Sequence, residues 1–181
     1  MKIGNMEGII DLRGKLPGRE DYARRELGDI RYLVVHHSGV ARDSTAVPIA
    51  RYHAEVLGWP GIGYHFLVHQ DGTIEYVGDI LEVRYNVARR NQEVVGVCLP
   101  GDFTYAIGGP EEAQLKAAHD LLANLQFALG WFVPILGHRE IALPAFATAC
   151  PGDTFLRGPR WKDWIAESPP QEGGSPPEAG Q

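Results

Sequence analysis

The sequence is poor in cysteine, contains no long apolar run and carries no surplus of basic side chains. It has 2 cysteines in 181 residues, too few for the disulfide framework that stabilises many small secreted domains. A single bridge between Cys98 and Cys150 remains open. Its apolar runs are far shorter than the roughly 20 residues that cross a bilayer, so we expect no membrane insertion. With 17 basic and 23 acidic side chains, the net charge of −6 argues against nucleic acid as a main partner.

The two ends of the chain differ in composition from its middle. Charge and glycine interrupt every apolar stretch of the first residues, MKIGNMEGIIDLRGKL, so no signal-peptide core is visible and we expect no export by that route. Residues 1–27 are predicted to form an arm over the domain, with one apolar patch at 8–12. Residues 168–181 are rich in proline and glycine and predict a disordered tail. Residues 28–167 then form one domain.

Strand and helix patterns alternate along this middle segment. Short apolar runs, one pair of them joined by Asp71-Gly72, predict strands, and apolar residues at spacings of three and four predict helices. The predicted strands cover 32–36, 64–68, 74–77, 94–99 and 133–136, and the predicted helices cover 44–57, 110–129 and 161–166. We therefore expect a single α/β domain with a central mixed sheet of about five to six strands flanked by about three helices.

Three segments carry side chains that bind metals: VVHHSG at the end of the first strand, GHRE after the last, and TACPG beyond it. Imidazole nitrogen and thiolate sulfur are ligands that zinc prefers, and three protein ligands with a position left for water are typical of catalytic zinc. Adjacent strand residues face opposite sides, so His36 and His37 cannot both bind one ion from an extended backbone. The residues alone do not choose between them. Two loop histidines and a buried thiol are the structural alternative.

The order of the motifs adds a resemblance to a known family. VVHHSG, GWPGIGYHFLVHQDGTIEYVGD, VVGVCLPGDF, PILGHREI and TACPGD follow one another in this sequence. Together they resemble the zinc-dependent N-acetylmuramoyl-L-alanine amidases, a family that includes phage amidase-type lysozymes and animal peptidoglycan recognition proteins. The resemblance covers about residues 32–164. It implies an enzyme that hydrolyses the amide between N-acetylmuramic acid and L-alanine in peptidoglycan.

The resemblance also implies which residues form the site. Zn²⁺ would be bound by His36, His138 and Cys150, which leaves His37 to pack or to support a ligand. Tyr64 and Thr148 would be the catalytic side chains beside the metal. Peptidoglycan would be the partner, and we expect the chain to act as a monomer.

Two positions depart from the family pattern. Some amidases of this fold carry a glutamate where this chain has Cys98, which we interpret as a small buried apolar residue. Asn86 stands where related sequences usually have histidine near the cleft, so substrate contacts are expected to differ there. The candidates for substrate binding are Trp59, Asn86, Arg139 and His65.

The biological role leaves alternatives open. A bacteriolytic phage-type endolysin, released from the host cytoplasm at lysis, is the favoured interpretation. A bacterial autolysin or recycling amidase is an alternative, as is an extracellular location. A peptidoglycan-binding module without catalysis is a further alternative, and the presence of Cys150 argues against it because recognition-only members typically lack this cysteine.

Overall fold

A six-stranded mixed sheet runs through the part of the protein that its computed structural model describes, residues 8–40, 43–104, 109–157 and 160–166. Across the sheet the strands lie in the order β1-β4-β3-β5-β2-β6, and β3 and β4 form its antiparallel pair. The expected α/β domain with a mixed sheet is confirmed. In chain order the strands are β1 (Ile9–Asp11), β2 (Tyr32–His37), β3 (Phe66–Val68), β4 (Ile74–Tyr76), β5 (Val94–Leu99) and β6 (Ile135–Gly137).

Four α-helices accompany the sheet within the described residues. α1 is extended by a π-helical turn, Tyr52–Val56, so the helix predicted over 44–57 is present in two parts. α2 ends at Gly130, whose φ of 80° is the left-handed conformation that glycine adopts most readily. The helix beyond the expected three is α3, which is too short to show a sequence period. The helices are α1 (Ala46–Arg51), α2 (Glu112–Leu129), α3 (His138–Ile141) and α4 (Trp161–Ala166).

The central strands β2 and β5 pair in parallel over their whole length. β5 and the first four residues of β2 are almost entirely apolar because helices and loops cover both faces. On β5, Val95, Val97 and Leu99 pack on the side of α2, and Cys98 packs on the side of α1 with Ala46. Cys98 is fully buried, as expected, and its thiol neighbours the phenol of Tyr64. Successive side chains of these strands thus alternate between two covered faces of the sheet.

Part of the N-terminal segment belongs to the sheet. Ile9–Asp11 of the predicted arm pairs with Ile74–Tyr76 as the edge strand β1, which the sequence pattern did not predict. Residues 1–7 and the predicted tail 168–181 lie outside the described residues. Among the helices that are described, none combines the length and the apolar composition needed to cross a membrane.

Candidate metal centre

His36, His138 and Cys150 lie together at one end of the sheet. One ligand atom from each lies within 4.8 Å of the others, and this is the one such cluster of three found in the described part of the chain. We call these residues the metal triad. His36 lies on β2, His138 is the first residue of α3 directly after β6, and Cys150 lies in the loop that follows. Because β2 and β6 are parallel neighbours, their carboxyl ends bring the two histidines to the same edge.

The strand register decides which histidine of the pair points into the centre. His36 is paired with Cys98 and therefore lies on the α1 side of the sheet, where its side chain is 1% exposed. The neighbouring His37 has its ring on the opposite side, where Nδ1 accepts a hydrogen bond of 3.2 Å from the backbone N–H of Phe103. His37 thus supports the loop after β5, and its ring is not part of the cluster.

His36 is held by Asn86 on the side away from the triad. Its Nε2 lies 3.2 Å from Asn86 Oδ1, and its Nδ1 lies 3.7 Å from the sulfur of Cys150. Burial, reinforced by the nearby His138, lowers the pKa of His36 well below 6.5. The ring is therefore neutral at pH 7, as a metal ligand must be.

His138 is presented by a short, capped helix. The carboxylate of Glu140 accepts a hydrogen bond of 2.7 Å from the backbone N–H of Gly137, which fixes the first turn of α3. The ring of His138 lies 4.7 Å from that of His36, centroid to centroid. Burial lowers the pKa of His138 to about 4, so this imidazole is also neutral at pH 7.

Cys150 is held by its own loop and by β2. The hydroxyl of Thr148 accepts a hydrogen bond of 3.1 Å from the backbone N–H of Cys150. The carbonyl of Cys150 accepts one of 2.8 Å from the N–H of Arg139. The thiol is 8% exposed, and burial raises its pKa to about 12. A thiolate there needs a nearby positive charge, such as a metal ion.

Tyr64 lies beside the triad, just before β3. Its ring is 5.3 Å from that of His36 and 5.6 Å from that of His53, and the residue is half-buried. Burial, together with the thiols of Cys98 and Cys150, raises the pKa of Tyr64 well above 10. The phenol therefore stays protonated at neutral pH and can donate a hydrogen bond.

An open pocket of about 350 Å³ adjoins the triad, and His138 is part of its lining. We call it the aromatic pocket. Trp59 forms part of the pocket wall and packs against the ring of His53, with ring centroids 4.7 Å apart. None of the lining residues is aspartate, glutamate, lysine or arginine, so the pocket suits a neutral, partly apolar ligand. Its lining is Trp59, Tyr85, Asn86, Ala88, Asn91, His138 and Phe146.

The other two candidates for substrate binding lie elsewhere. His65 is fully buried, and its Nδ1 accepts a hydrogen bond of 3.0 Å from the N–H of Gly96 while its Nε2 lies 3.0 Å from the carbonyl of Glu82. Arg139 points along the cysteine loop, where it binds Asp153 at 2.7 Å. The structure therefore brings Trp59 and Asn86 to the pocket and leaves His65 in the core.

Comparison with known protein families gives a match over the segment that contains the metal triad. The family described as N-acetylmuramoyl-L-alanine amidase matches residues 26–153, more than half of the chain and all of the metal triad. The chain belongs to this family. The family is one of hydrolases. The match confirms the resemblance that the five sequence motifs indicate.

Relatives in animals and phages match this amidase domain. A human protein named N-acetylmuramoyl-L-alanine amidase is 31% identical over 77% of this chain and 25% of its own length. The endolysin of Klebsiella phage KP32 is 36% identical over 60% of this chain and 70% of its own length. The chain spans about a quarter of the length of the human relative and 22% of that of a pig relative of the same name.

Solved structures agree with the fold. The Ph2119 endolysin of a Thermus scotoductus bacteriophage superposes with a TM-score of 0.67 at 25% identity, covering 88% of this chain and 99% of that one. A bumblebee recognition protein, PGRP-SA, superposes with a TM-score of 0.70 at 23% identity, covering 87% and 95%. The second likeness concerns the fold alone.

Proposed function

We propose that this chain hydrolyses the amide bond between N-acetylmuramic acid and L-alanine in peptidoglycan, with a zinc ion bound by the metal triad. The observation that carries the proposal is the convergence of two imidazoles and a thiol beside the aromatic pocket, within the segment that matches the amidase family. Three protein ligands next to an open pocket are typical of a catalytic rather than a structural metal site.

The donor set fits zinc. Nitrogen and sulfur ligands in a cluster of three are those that Zn²⁺ prefers, and oxygen-seeking ions such as Mg²⁺ would not select them. Both imidazoles are neutral at pH 7, because their pKa values are lowered. A divalent cation would balance the charge of the buried Cys150 thiolate. When bound, zinc supplies Lewis acidity toward the scissile carbonyl and activates water for attack.

Tyr64 is proposed as the donor that stabilises negative charge in the transition state. Its phenol is protonated and lies beside His36, so it can donate to the carbonyl oxygen as charge develops there. Thr148 is proposed to act in two ways. Its oxygen holds the cysteine loop through the N–H of Cys150, and its hydroxyl proton remains available to a substrate oxygen.

The aromatic pocket is proposed to bind the part of the substrate next to the scissile bond. Trp59 and Phe146 offer ring faces that suit the C–H surfaces of a sugar, and Asn91 supplies an amide group. The amide of Asn86 also lines the pocket, but its polar atoms are engaged by His36 and by two backbone carbonyls. Arg139, on α3, faces the cysteine loop and is proposed to meet a carboxylate of the stem peptide when it is released from Asp153. We propose no substrate contact for His65.

The biological role that fits this chemistry is lysis of the bacterial cell wall, by an enzyme of the phage endolysin kind. The relative from phage KP32 is named an endolysin, which supports this role. We propose that the chain acts as a monomer, since the metal triad and the pocket are built entirely from one chain.

The test compares the two buried cysteines in matched variants. Cys150→Ala should lose bound zinc and all release of L-alanine amino groups from purified peptidoglycan, as measured by metal analysis and mass spectrometry. Cys98→Ala also removes a buried thiol but should keep the zinc. Wall lysis by Cys150→Ala at the full rate would contradict the proposal. New reducing sugar ends would indicate a glycosidase, and binding without cleavage by the zinc-loaded protein would indicate a recognition module.

A further inference from the structure

Asn86 lies in a loop between β4 and β5, with its side chain over Gly96 of β5. The side chain is almost wholly buried, at 9% exposure. A Cβ atom added at Gly96 would lie 2.8 Å from both Cγ and Oδ1 of Asn86, closer than real Cβ contacts come. The glycine is therefore what allows Asn86 to reach across β5 to the strand that carries His36.

The hydrogen bonds of Asn86 determine which way its amide points. Its Nδ2 donates to the carbonyl of Gly63 at 3.0 Å and to the carbonyl of Arg84 at 3.1 Å. Carbonyl oxygens only accept, so the NH₂ group must face them and Oδ1 must face His36. Since Oδ1 also only accepts, the Nε2 atom of His36, 3.2 Å away, must carry the proton. Nδ1 is then the unprotonated nitrogen, and it is the one that lies 3.7 Å from the sulfur of Cys150.

The loop around Asn86 is itself held in place. The side-chain oxygen of Asn91 accepts hydrogen bonds of 2.9 Å from the backbone N–H groups of both Asn86 and Val87. The buried guanidinium of Arg25 donates to the carbonyls of Ile80 and Val94, which lie near the two ends of the loop. Asn86 thus meets His36 from a loop whose backbone is held by hydrogen bonds with Asn91 and Arg25.

We propose that Asn86 is a positioning residue of the metal triad: its amide oxygen keeps the His36 proton on Nε2 and thereby presents Nδ1 to the metal. This inference rests on the proposed metal function, but its effect on His36 exists without a metal. Hydrogen-bond partners of metal-binding histidines fix the ring orientation and the tautomer, and their loss typically weakens metal affinity by ~10- to 100-fold.

The first experiment uses the metal-free protein. Two-bond ¹H–¹⁵N NMR spectra distinguish the two neutral forms of a histidine ring, and His36 of the unsubstituted chain should carry its proton on Nε2. In Asn86→Leu, which has the same branched shape and number of heavy atoms but no acceptor, a mixture of the two forms should appear. In Asn86→Asp, which keeps an acceptor oxygen, the Nε2–H form should return. A proton on Nδ1 of His36 in the unsubstituted chain would overturn the inference, even if the leucine variant failed to fold.

The second experiment measures zinc affinity by competition with a chelator of known affinity. Asn86→Leu should bind zinc ~10- to 100-fold more weakly than the unsubstituted chain. Arg89→Ala, at an exposed position of the same loop, should match the unsubstituted chain. Unchanged affinity and an unchanged tautomer in Asn86→Leu would refute the positioning role. Absence of zinc binding by the unsubstituted chain would instead refute the proposed metal function, and the NMR result would still decide the role of Asn86.

Discussion

The backbone N–H of His37 points at the sulfur of Cys150 across 3.4 Å. The residue before it, His36, directs its ring at the same sulfur. The end of β2 therefore contacts Cys150 with both a side chain and the main chain. An N–H donor at a sulfur favours its charged form, so this contact assists formation of the thiolate once a metal is bound.

Replacement of Tyr64 by phenylalanine should separate catalysis from metal binding. The variant loses a protonated phenol beside His36 and keeps the ring that packs against His53. Removal of one donor to a developing oxyanion typically lowers kcat by ~100- to 1,000-fold. We expect a loss of this size in the release of L-alanine amino groups, with zinc content and melting temperature close to those of the unsubstituted chain. A full rate in Tyr64→Phe would exclude this role for the phenol.

Thr148 should matter through its hydroxyl oxygen. Thr148→Ala removes the acceptor for the N–H of Cys150, and a hydrogen bond of this kind contributes about 0.5–1.5 kcal/mol. We expect a loss of stability in that range and a faster release of zinc to a chelator. Thr148→Ser keeps the acceptor and serves as the control. Equal zinc release from both variants would show that the hydroxyl does not hold the loop.

Gly137 should tolerate no side chain. An added Cβ would lie 2.5 Å from the ring of Phe155 and 2.8 Å from the ring of Pro151, next to the cysteine loop. Overpacking of this kind costs about 1–3 kcal/mol, and the displaced loop should bind zinc more weakly. Chemical denaturation and zinc competition of Gly137→Ala measure the two effects. The double variant with Phe155→Leu should recover part of the stability, because the smaller side chain relieves the contact.

His69 should make the stability of the protein depend on pH above neutrality. Its ring lies 2.8 Å from a carboxylate oxygen of Asp43 and 2.9 Å from one of Glu75, which also accepts a hydrogen bond from the first N–H of α1. Burial opposes protonation of the ring, but the two carboxylates outweigh it and raise the pKa of His69 to about 9. The protonated ring therefore links the segment before α1 to β4.

The sign of the pH effect follows from the raised pKa. In an unfolded chain the pKa of histidine is ~6.5. The contribution of His69 to the free energy of unfolding is therefore complete below that pH and disappears as the pH rises through about 9. Its size is on the order of 3 kcal/mol, since the pKa rises from ~6.5 to about 9 and one pKa unit corresponds to about 1.4 kcal/mol. Urea denaturation between pH 6.5 and 9.5 should show this decline, and His69→Gln should flatten it. An equally steep decline in that variant would assign the effect to another group.

The central elements of the fold were predictable because local pattern and burial agree there. β5 has the bounds 94–99 that its apolar run predicts, and β2 extends the predicted 32–36 by one residue. The edge strand β1 was missed, since it is three residues long and Ile10 and Asp11 are exposed. A strand so short and so open to solvent leaves no alternation of apolar and polar residues to detect.

The metal centre was predictable only in part. The residue pattern left His36 and His37 as alternatives, and the pairing of β2 with β5 and β6 shows which ring enters the cluster. Asn86 was expected to touch substrate, but its oxygen faces His36 because a loop folds it over Gly96. Contacts of this kind depend on how distant segments close on one another, and no local sequence period encodes them.

A metal ion at the triad also has a consequence for chain connectivity. His36 and Cys150 are 114 positions apart, so an ion bound to both closes most of the domain into one loop. A link of that span restricts the unfolded ensemble in the way a disulfide does, and the gain rises only slowly with loop length. Cys98 and Cys150 are both free thiols. The ion would therefore be a removable cross-link in a chain without a covalent one. Its loss to a chelator would remove the link between β2 and the loop that carries Cys150.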